Sequence, residues 1–355
     1  MAQRILDEIR RLASRIGRPI KLMEVCGTHT VEIFRHGIRD VIPKEISLLS
    51  GPGCPVCVTP IGDVDAAISI SQMEGTILTT FGDMMRVPGS DCSLNDARAE
   101  GADIRVVYSP IDALKLAKAE KSRDVVFFAT GFETTSPLIA ATLSEAIRRG
   151  IGNFYIYSSH KLVPPALRAL LDSPDVHVDG FILPGHVSAI IGKGPYSFIS
   201  DSYGKPAVIT GFEAMDILQG ILMLLNQIAH GKAGVETQYV KIVRDEGNPK
   251  ARSMIEGYFE PVDAHWRGIG TIPLSGLDLR EEYSAHDAKR VFCPPVSYHK
   301  EPEFCSCGDV LRGVKIPPEC PMFGAGCTPD APVGACMVST EGSCAAYYRY
   351  GPYRG

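Results

Sequence analysis

The sequence of 355 residues predicts an α/β protein in which two parallel-sheet domains face a central cleft and a cysteine-rich C-terminal domain follows. The chain is longer than a usual single domain, so two or three domains are expected. Short apolar runs alternate with helical patterns over roughly the first 230 residues, which is typical of parallel α/β units. Seven of the eleven cysteines lie in the last 65 residues, which sets the C-terminal part apart.

The chain begins with a predicted amphipathic helix. In "MAQRILDEIRRLASRIG", charged residues alternate with Ile5, Ile9, Leu12 and Ile16 at helical spacing, which argues against a signal peptide. The most apolar stretch, residues 220–228, is far too short to span a bilayer. A net charge of −5 argues against nucleic acid or an anionic membrane as the main partner. We therefore expect a cytoplasmic protein whose cysteines are ligands or redox thiols rather than structural disulfides.

Eight strands are predicted from short runs of apolar and β-branched residues, each followed by a polar, glycine-containing segment and a helical pattern. The runs are "IKLMEV", "EISLLS", "GTILTTF", "DIRVVY", "DVVFFA", "NFYIYS", "VDGFIL" and "KPAVI". We divide them into two four-stranded domains at the charged segment "AKAEKSRD" near Lys121. The predicted domains are residues 1–120, 121–235 and 236–355, the last of which contains Trp266 as a core or interface anchor.

The chemically unusual residues follow the predicted strands, where open parallel sheets bind their ligands. They are Cys26, His29, Cys54, Cys57, Asp83, Glu133, His160, His186 and Glu213. No GxGxxG or Walker A pattern accompanies them, since "GHVSAIIGKGP" has the wrong spacing and lacks the Ser or Thr after its Lys. If the two domains face each other, these residues line one cleft, and the thiols are its best chemical lead.

The motif "CGTHT" places Cys26 and His29 three residues apart, just past a strand. Thiol and imidazole are good ligands for iron or zinc, and the pair also suits nucleophilic catalysis, with the imidazole lowering the pKa of the thiol. Taken alone, the motif fits a buried cysteine with a structural histidine better than either function.

The motif "GPGCPVCVTP" is more specific, because Gly-Pro-Gly permits a sharp turn before the Cys54/Cys57 pair. Thr59 is the predicted N-cap of the next helix, which would put Cys57 near a helix N-terminus that favours thiolate. The pair can close into a disulfide or hold a metal with two further ligands. A structural zinc knuckle would need a second pair nearby in sequence, and none follows.

Three further motifs supply candidate cleft residues. "TGFETTSP" offers Glu133 and Thr134 at a helix start, where an oxygen-bearing ligand and simple capping are about equally supported. "SSHKLVPP" and "PGHVSAI" place His160 and His186 at strand ends. One isolated histidine is usually structural, but two in one cleft favour a function.

The tail "FCSCGDVLRGVKIPPECPMFGAGCTPDAPVGACMVSTEGSCAAYY" carries the strongest signal. It holds six cysteines among prolines and glycines that let loops wrap an inorganic core. Zinc ribbons usually show two CxxC knuckles, which this tail lacks, whereas iron–sulfur clusters accept irregular spacing. The tail therefore predicts a [4Fe–4S] cluster, and six candidates for four positions leave two thiols as a spare pair.

Together these motifs resemble the HypD family of [NiFe] hydrogenase maturation factors. "CGTHT", "GPGCPVCVTP", "GFETT", "PGHVS" and the cysteine tail occur in that family's order, and the match covers nearly the whole chain. The resemblance implies two α/β domains and a third domain with the cluster. It implies a scaffold that acts with a small partner, HypC, on iron that receives carbon monoxide, and cyanide from the partner HypE. The finished Fe(CN)2CO unit then passes to the hydrogenase large subunit.

The same resemblance assigns roles to the cleft thiols. Cys26 would bind the iron together with a cysteine of HypC, and Cys54 and Cys57 would be the redox pair beside that iron. A CxxC near the metal can deliver two electrons and close to a disulfide. Soft thiolates would retain the iron while diatomic ligands take its open positions.

The tail is also similar in arrangement to the cluster of ferredoxin–thioredoxin reductase, in which a CxC contributes one ligand and one redox thiol. This similarity implies four cluster ligands, Cys305, Cys320, Cys327 and Cys344. It leaves Cys307 and Cys336 as the adjacent dithiol.

Other classes of function remain open on the sequence. A thiol–disulfide oxidoreductase fed by an iron–sulfur cluster would explain the CxxC and the tail, but not the Cys26/His29 pair. A radical or dehydratase-type enzyme would need an open cluster iron or a CxxxCxxC triad, and no such triad is present. A structural metal fold could act as a docking platform only. We favour a metal-centre assembly scaffold with thiol redox activity over a conventional small-molecule enzyme.

Overall fold

The protein is described by a computed structural model that covers residues 1–296 and 302–352. In this part of the chain eleven strands form two sheets. The strands are β1 Ile20–Glu24, β2 Ile46–Ser50, β3 Thr76–Thr80, β4 Ile104–Val106, β5 Asp124–Gly131, β6 Phe154–Lys161, β7 Gly180–Pro184, β8 Ala207–Thr210, β9 Val235–Thr237, β10 Phe259–Trp266 and β11 Gly270–Leu279. All eight strands predicted from the apolar runs are confirmed.

Helices connect the strands and cover the sheets. The α-helices are α1 Ala2–Ile16, α2 Gly27–Arg35, α3 Ile38–Val41, α4 Pro55–Val58, α5 Ile61–Ser71, α6 Leu94–Ala99, α7 Pro110–Ala119, α8 Ser136–Arg148, α9 Val163–Asp172, α10 Gly185–Ile191, α11 Phe198–Asp201, α12 Ala214–His230, α13 Pro249–Tyr258, α14 Ala288–Phe292, α15 Cys307–Leu311, α16 Ala335–Val338 and α17 Ser343–Tyr350. Short 3₁₀ helices span Gly82–Arg86, Gly194–Tyr196, Glu281–His286 and Pro317–Glu319. Among the described helices, none is long and apolar enough to cross a membrane.

The first sheet has the strand order β2-β1-β7-β8-β9, and all its neighbouring strands are parallel. β1 lies inside the sheet, where Met23 pairs with Leu49 of β2 and Phe181 of β7. Helix α1 packs against α12. Its residues Ile9 and Leu12 are fully buried, which confirms the predicted amphipathic helix.

The second sheet has the order β10-β11-β6-β5-β3-β4. β6, β5, β3 and β4 are parallel, and the hairpin β10–β11 joins them antiparallel, with Leu277 opposite His160. Trp266 at the end of β10 is fully buried, and its indole N–H donates a hydrogen bond of 2.8 Å to Ser275. The prediction that Trp266 anchors a core is confirmed.

The grouping of strands corrects the prediction of two consecutive four-stranded sheets. β3 and β4 pair with β5 and β6, whereas β7 and β8 return to pair with β1. Lys121 lies in the connection from β4 to β5 within the second sheet, so a division there does not separate the sheets. The strands after residue 235 are likewise shared, since β9 completes the first sheet and β10 and β11 extend the second. Strand pairing is a long-range property that the local apolar pattern does not contain.

The cysteine-rich tail packs into the body of the protein. Helix α17 lies against α2, and α16 lies against α4. Cys336 and Met337 share one buried core with Met23, Val25 and Cys54. Tail thiols therefore share a core with residues at the C-terminal ends of β1 and β2.

Candidate functional site

Cys26 lies at the C-terminal end of β1 and is the N-cap residue of α2. Burial raises the pKa of its thiol to about 11, and the nearby Glu341 carboxylate adds to that increase. The Thr28 hydroxyl and the backbone N–H groups of His29 and Thr28 act in the opposite direction. The thiol is therefore protonated at neutral pH in the free protein, and a bound cation would favour its thiolate form.

Two glycines bring other segments onto Cys26. A Cβ on Gly53 would lie 2.3 Å from the Cys26 backbone nitrogen and 2.5 Å from its Cα. A Cβ on Gly27 would lie 2.4 Å from the carbonyl oxygen of Glu341. Gly27 also donates a backbone hydrogen bond of 3.1 Å to Gly53. The glycines of "GPGCPVC" and "CGTHT" thus permit backbone contact between three separate segments at Cys26.

Glu341 is a site residue that the sequence did not reveal. Its carboxylate accepts a hydrogen bond of 2.8 Å from the Thr28 hydroxyl. It also acts on His186, whose pKa is lowered by burial and raised in part by the Glu341 charge. The only sequence signal was an acidic residue three positions before Cys344, and that spacing alone indicates no function.

His29 lies on α2, is fully buried and joins this helix to the end of β8. Its Nε2 lies 2.9 Å from both the carbonyl oxygen of Gly211 and the hydroxyl of Thr210. The ring stacks on Phe212, on which the exposed His186 also stacks. Burial lowers the pKa of His29 to about 4, so the imidazole is neutral at pH 7. Because Nε2 is held by the neighbouring strand, only Nδ1 remains without a hydrogen-bond partner in the described structure.

Cys54 and Cys57 lie on the short helix α4. Cys54 is its N-cap residue, and its sulfur accepts a hydrogen bond of 3.3 Å from the Cys57 backbone. Thr59 is not the N-cap of α5, as the sequence predicted, because it is the C-cap residue of α4 and its hydroxyl donates to the carbonyl of Pro55 at the start of α4. Burial raises the pKa of Cys57 well above its ordinary value, with contributions from Cys336 and Cys54. Cys57 is thus a buried thiol rather than the expected thiolate.

Cys336 joins the CxxC to the tail thiols. Hydrogen bonds with Cys307, Cys344 and Cys57 hold the pKa of Cys336 well below its ordinary value. Cys57 also donates a weak hydrogen bond of 3.9 Å to the carbonyl of Ala335. Cys336, whose pKa is low, therefore lies between Cys57 of the CxxC and the tail thiols Cys307 and Cys344.

Three of the tail thiols lie close to Gly334. A Cβ on Gly334 would lie 2.4 Å from the sulfur of Cys307 and 2.9 Å from that of Cys305. The sulfur of Cys327 accepts a hydrogen bond of 3.3 Å from Val333, and the charges of Cys307 and Cys305 act on the same thiol.

The donor set of the tail fits an iron–sulfur cluster. Buried thiols and backbone N–H groups directed at sulfur are the protein features that hold and tune such clusters. The sulfur of Cys320 accepts a bond of 3.5 Å from the Ser306 backbone, as that of Cys327 does from Val333. In residues 1–296 and 302–352, no three His, Cys, Asp or Glu side chains form a site for a single metal ion. A four-iron cluster is larger than a single ion and does not need its ligands to converge on one point.

Glu133 and Thr134 lie in the turn between β5 and α8. Thr134 is exposed, but Glu133 is buried, and its Oε1 accepts a hydrogen bond of 3.0 Å from the Val163 backbone. Burial raises the pKa of Glu133 to about 7. Thr135 occupies the N-cap position of α8 without a capping hydrogen bond, so simple capping does not explain this motif.

The other predicted cleft residues are dispersed. His160 pairs with β11 rather than facing Cys26: its Nδ1 lies 2.9 Å from the Ser158 hydroxyl and its ring contacts Phe259 edge-on. Asp83 accepts a hydrogen bond of 3.2 Å from Ser339 in the tail. Glu213 is exposed and caps α12. His160 thus contacts residues of β6, β10 and β11, whereas His186 stacks on Phe212 after β8; that both line one cleft stays a prediction.

Comparison with known proteins gives a consistent result along the chain. The family model HypD, described as "Hydrogenase formation hypA family", matches residues 1–351. A "Hydrogenase maturation factor HypD" of Rhodobacter capsulatus is 49% identical over 365 aligned positions, which span 100% of this chain and 96% of the relative. The protein of the same name in Rhizobium leguminosarum bv. viciae is 47% identical over 362 positions (100% and 94%). That of Escherichia coli (strain K12) is 44% identical over 351 positions (98% and 94%).

Proposed function

Because this chain belongs to the HypD family of hydrogenase formation proteins, we propose that it serves in hydrogenase maturation as the scaffold on which the Fe(CN)2CO unit is assembled. In this proposal iron is the cargo. Cys26 binds it together with a thiol of the small partner HypC, and HypE supplies the cyanide. The assembly takes place in the cytoplasm, and the finished unit leaves for the hydrogenase large subunit.

The observation that carries the proposal is the contact of the CxxC loop with Cys26, with further thiols in contact behind that loop. The CxxC loop contacts the Cys26 backbone through Gly53, and Cys57 at its far end contacts Cys336 of the tail. Cys336 in turn contacts Cys307. A site that only stored iron would not need two thiol pairs in contact behind it.

The tail holds a [4Fe–4S] cluster in this proposal. Its ligands are four thiols, Cys305, Cys320, Cys327 and Cys344. The cluster supplies one-electron redox chemistry when bound. The protein contributes N–H donors to the sulfurs of Cys320 and Cys327, and three of the four proposed ligands are buried.

In this proposal the low pKa of Cys336 decides which thiol attacks first in an exchange between the two pairs. Thiolate is the nucleophile in thiol–disulfide exchange, and the low pKa of Cys336 makes it the attacking group. Attack on the Cys57 sulfur of an oxidised pair forms a Cys57–Cys336 bond and releases Cys54, which takes up a proton. Cys307 then attacks Cys336, giving a Cys307–Cys336 disulfide and the Cys57 thiol. Two electrons have moved from the tail pair to the CxxC, where they serve the reductive cleavage that frees cyanide from its carrier.

An iron–sulfur-fed thiol–disulfide oxidoreductase is the alternative function. The contact between Cys57 and Cys336 would serve it equally well. It gives no role to the close packing of Gly27 and Gly53 around Cys26, nor to Glu341 beside that thiol. These features favour the scaffold.

The test is a Cys26→Ala variant, purified anaerobically with the small partner and measured by infrared spectroscopy. We expect it to fold, to keep the iron of its tail and to lack cyanide and carbonyl stretching bands. Cys92→Ala is the matched control, since Cys92 lies on another surface and is only partly exposed. Dicyano-carbonyl bands of normal strength in Cys26→Ala would contradict the assignment of the iron ligand.

A further inference from the structure

A cavity of about 270 Å³ lies between β6, the hairpin β10–β11 and the first turn of α5. Its lining is in part apolar, with Val262 and Leu277, and in part charged, with Asp63, Lys161 and Lys289. This volume holds several water molecules, at about 30 Å³ each in the liquid, or one small organic molecule. The described residues that line the cavity include no cysteine, so it is separate from the thiol site.

Lys161, the last residue of β6, places a buried ammonium group at this cavity. Its side chain is 4% exposed, and its ionic partner in the described structure is Asp63. The distance from Nζ of Lys161 to Oδ2 of Asp63 is 3.8 Å, which is too long for a hydrogen bond. An ammonium group carries three N–H donors, and leaving them unpaired in a buried position is costly. Acceptor atoms for Lys161 are therefore expected inside the cavity.

Two hydroxyl groups hold Asp63 in this position. The Tyr157 hydroxyl donates a hydrogen bond of 3.1 Å to Oδ1 of Asp63, and the Ser159 hydroxyl donates to Oδ2. The carboxylate thus faces the ammonium group of Lys161 while its own oxygens are bonded elsewhere. It balances the positive charge and lies close enough to take up a proton from Lys161 through a small movement or one water molecule.

The charges of the lining favour a neutral guest. The second lysine of the cavity, Lys289, is also paired, since its Nζ lies 2.6 Å from Oδ1 of Asp278. Each lysine thus has an acid beside it, and Asp263 adds a further carboxylate to the lining. An anion would meet as many negative as positive charges. A neutral carbonyl compound instead accepts a hydrogen bond from Lys161 and packs its carbon atoms against the apolar part of the lining.

The buried position also makes Lys161 a better nucleophile than an exposed lysine. Burial lowers the pKa of Lys161, an effect that the Asp63 carboxylate opposes in part and that the charge of Lys289 reinforces. Only the neutral amine attacks a carbonyl carbon, and lysines in desolvated pockets are the residues that form imines in enzymes.

We propose that this cavity binds a small neutral aldehyde or ketone and that Lys161 forms a reversible imine with it. One proton of the ammonium group passes to Asp63, and the amine nitrogen then bonds to the carbonyl carbon. The carbonyl oxygen takes up that proton and one from the amine, and it leaves as water. The protonated imine keeps one positive charge opposite Asp63, and no oxidant or reductant is needed. The site uses no thiol and is independent of the proposed function.

The test treats the full-length chain, purified anaerobically, with acetaldehyde and picoline borane, which reduces imines to stable N-ethyl amines. Peptide mass spectrometry then gives the rate at which each lysine is modified. We expect Lys161 to react at least about tenfold faster than the exposed Lys118, because the cavity holds the aldehyde beside the amine. Asp63→Asn should slow the reaction at Lys161 and leave that at Lys118 unchanged. Lys289→Arg is the matched control, since it keeps the charge of the other cavity lysine and should leave Lys161 as reactive as in wild type.

The concentration dependence of the reaction separates a binding site from an accessible amine. The rate at Lys161 should level off as acetaldehyde is increased, whereas a rate that rises in strict proportion would overturn the binding site. If Lys161 and Asp63 only tie β6 to α5, with water in the cavity, Lys161 will react more slowly than Lys118, and the inference is wrong. If Asp63→Asn fails to fold, the comparison of Lys161 with Lys118 in the wild-type chain decides.

Discussion

Replacing Cys336 by Ser should stop electron transfer from the tail to the CxxC while leaving the fold of the tail in place. Serine has nearly the size of cysteine, but its hydroxyl is not a nucleophile for disulfides at neutral pH. Cys336 is the tail thiol that contacts Cys57, as the mutual effect on their pKa values shows. Cys307 and Cys344 lie behind it.

The magnitude follows from the thiolate populations. An unperturbed thiol is only about 3% thiolate at pH 7, because its pKa is near 8.5. Hydrogen bonds with its neighbours hold the pKa of Cys336 below its ordinary value, so more of this thiol is thiolate at pH 7 than of an unperturbed thiol. Part of this gain is lost because a low-pKa thiolate is intrinsically less reactive. In the serine variant no tail sulfur remains in place to attack, so we expect reduction to slow at least about 100-fold.

The assay follows reduction of the oxidised CxxC by an electron donor that acts on the cluster. Samples are quenched anaerobically with a thiol-trapping reagent, and mass spectrometry reports the state of Cys54 and Cys57. Cys92→Ser is the control, and the iron content shows that the cluster is retained. In Cys307→Ser the mixed disulfide between Cys57 and Cys336 should accumulate. Equal rates in wild type and Cys336→Ser would refute the relay and leave the tail pair as a static cross-link.

Three further predictions concern packing, electrostatics and the cluster. Gly268→Ala should slow reduction of the CxxC at normal iron content. A Cβ there would lie 2.6 Å from the Cα of Gly308, the residue after the relay thiol Cys307. An unchanged rate would argue against a role of this packing in the relay. Asp103→Asn should lower the unfolding free energy by about 1 kcal/mol at pH 7 and hardly at all near pH 2. Arg105, with Arg123, lowers the pKa of Asp103 from 3.8 to about 2. The stabilisation that the ionised Asp103 carboxylate contributes is therefore present above pH 4 and lost as the pH falls through 2. Denaturant titrations of both proteins at pH 7 and pH 2 test this. Cys327→Ala should lower bound iron and increase proteolysis of the tail, and full iron content in this variant would remove the residue from the ligand set.

The strands and the cysteine motifs were predictable because each is a local property of the sequence. A buried parallel strand such as β5 is a continuous apolar run wherever it occurs, and "GPGCPVC" needs its glycines close to its thiols. The order of strands in a sheet is not local. The apolar pattern of β7 is the same whether β7 pairs with β6 or, as here, with β1 and β8.

The same limit explains which site residues were missed. Glu341 belongs to no motif, since its position beside Cys26 arises only when the tail folds against that segment. His160 shows another side of this limit: it lies inside β6, whose pairing with β11 the local sequence did not predict. Position at a strand end predicts a shared site only after the neighbours of that strand are known.

The interleaved fold couples the two thiol pairs to the proposed iron site mechanically. α16, which carries Cys336, packs on α4, and α17 packs on the helix that begins after Cys26. Both short helices belong to a tail whose proposed cluster bonds would replace a larger apolar core. Loss of the proposed cluster would therefore loosen Cys336 from Cys57 and Glu341 from Cys26 together. In this arrangement a chain without the proposed cluster would be unable to hold iron in a competent site, so cluster insertion would have to precede the assembly of cyanide on iron.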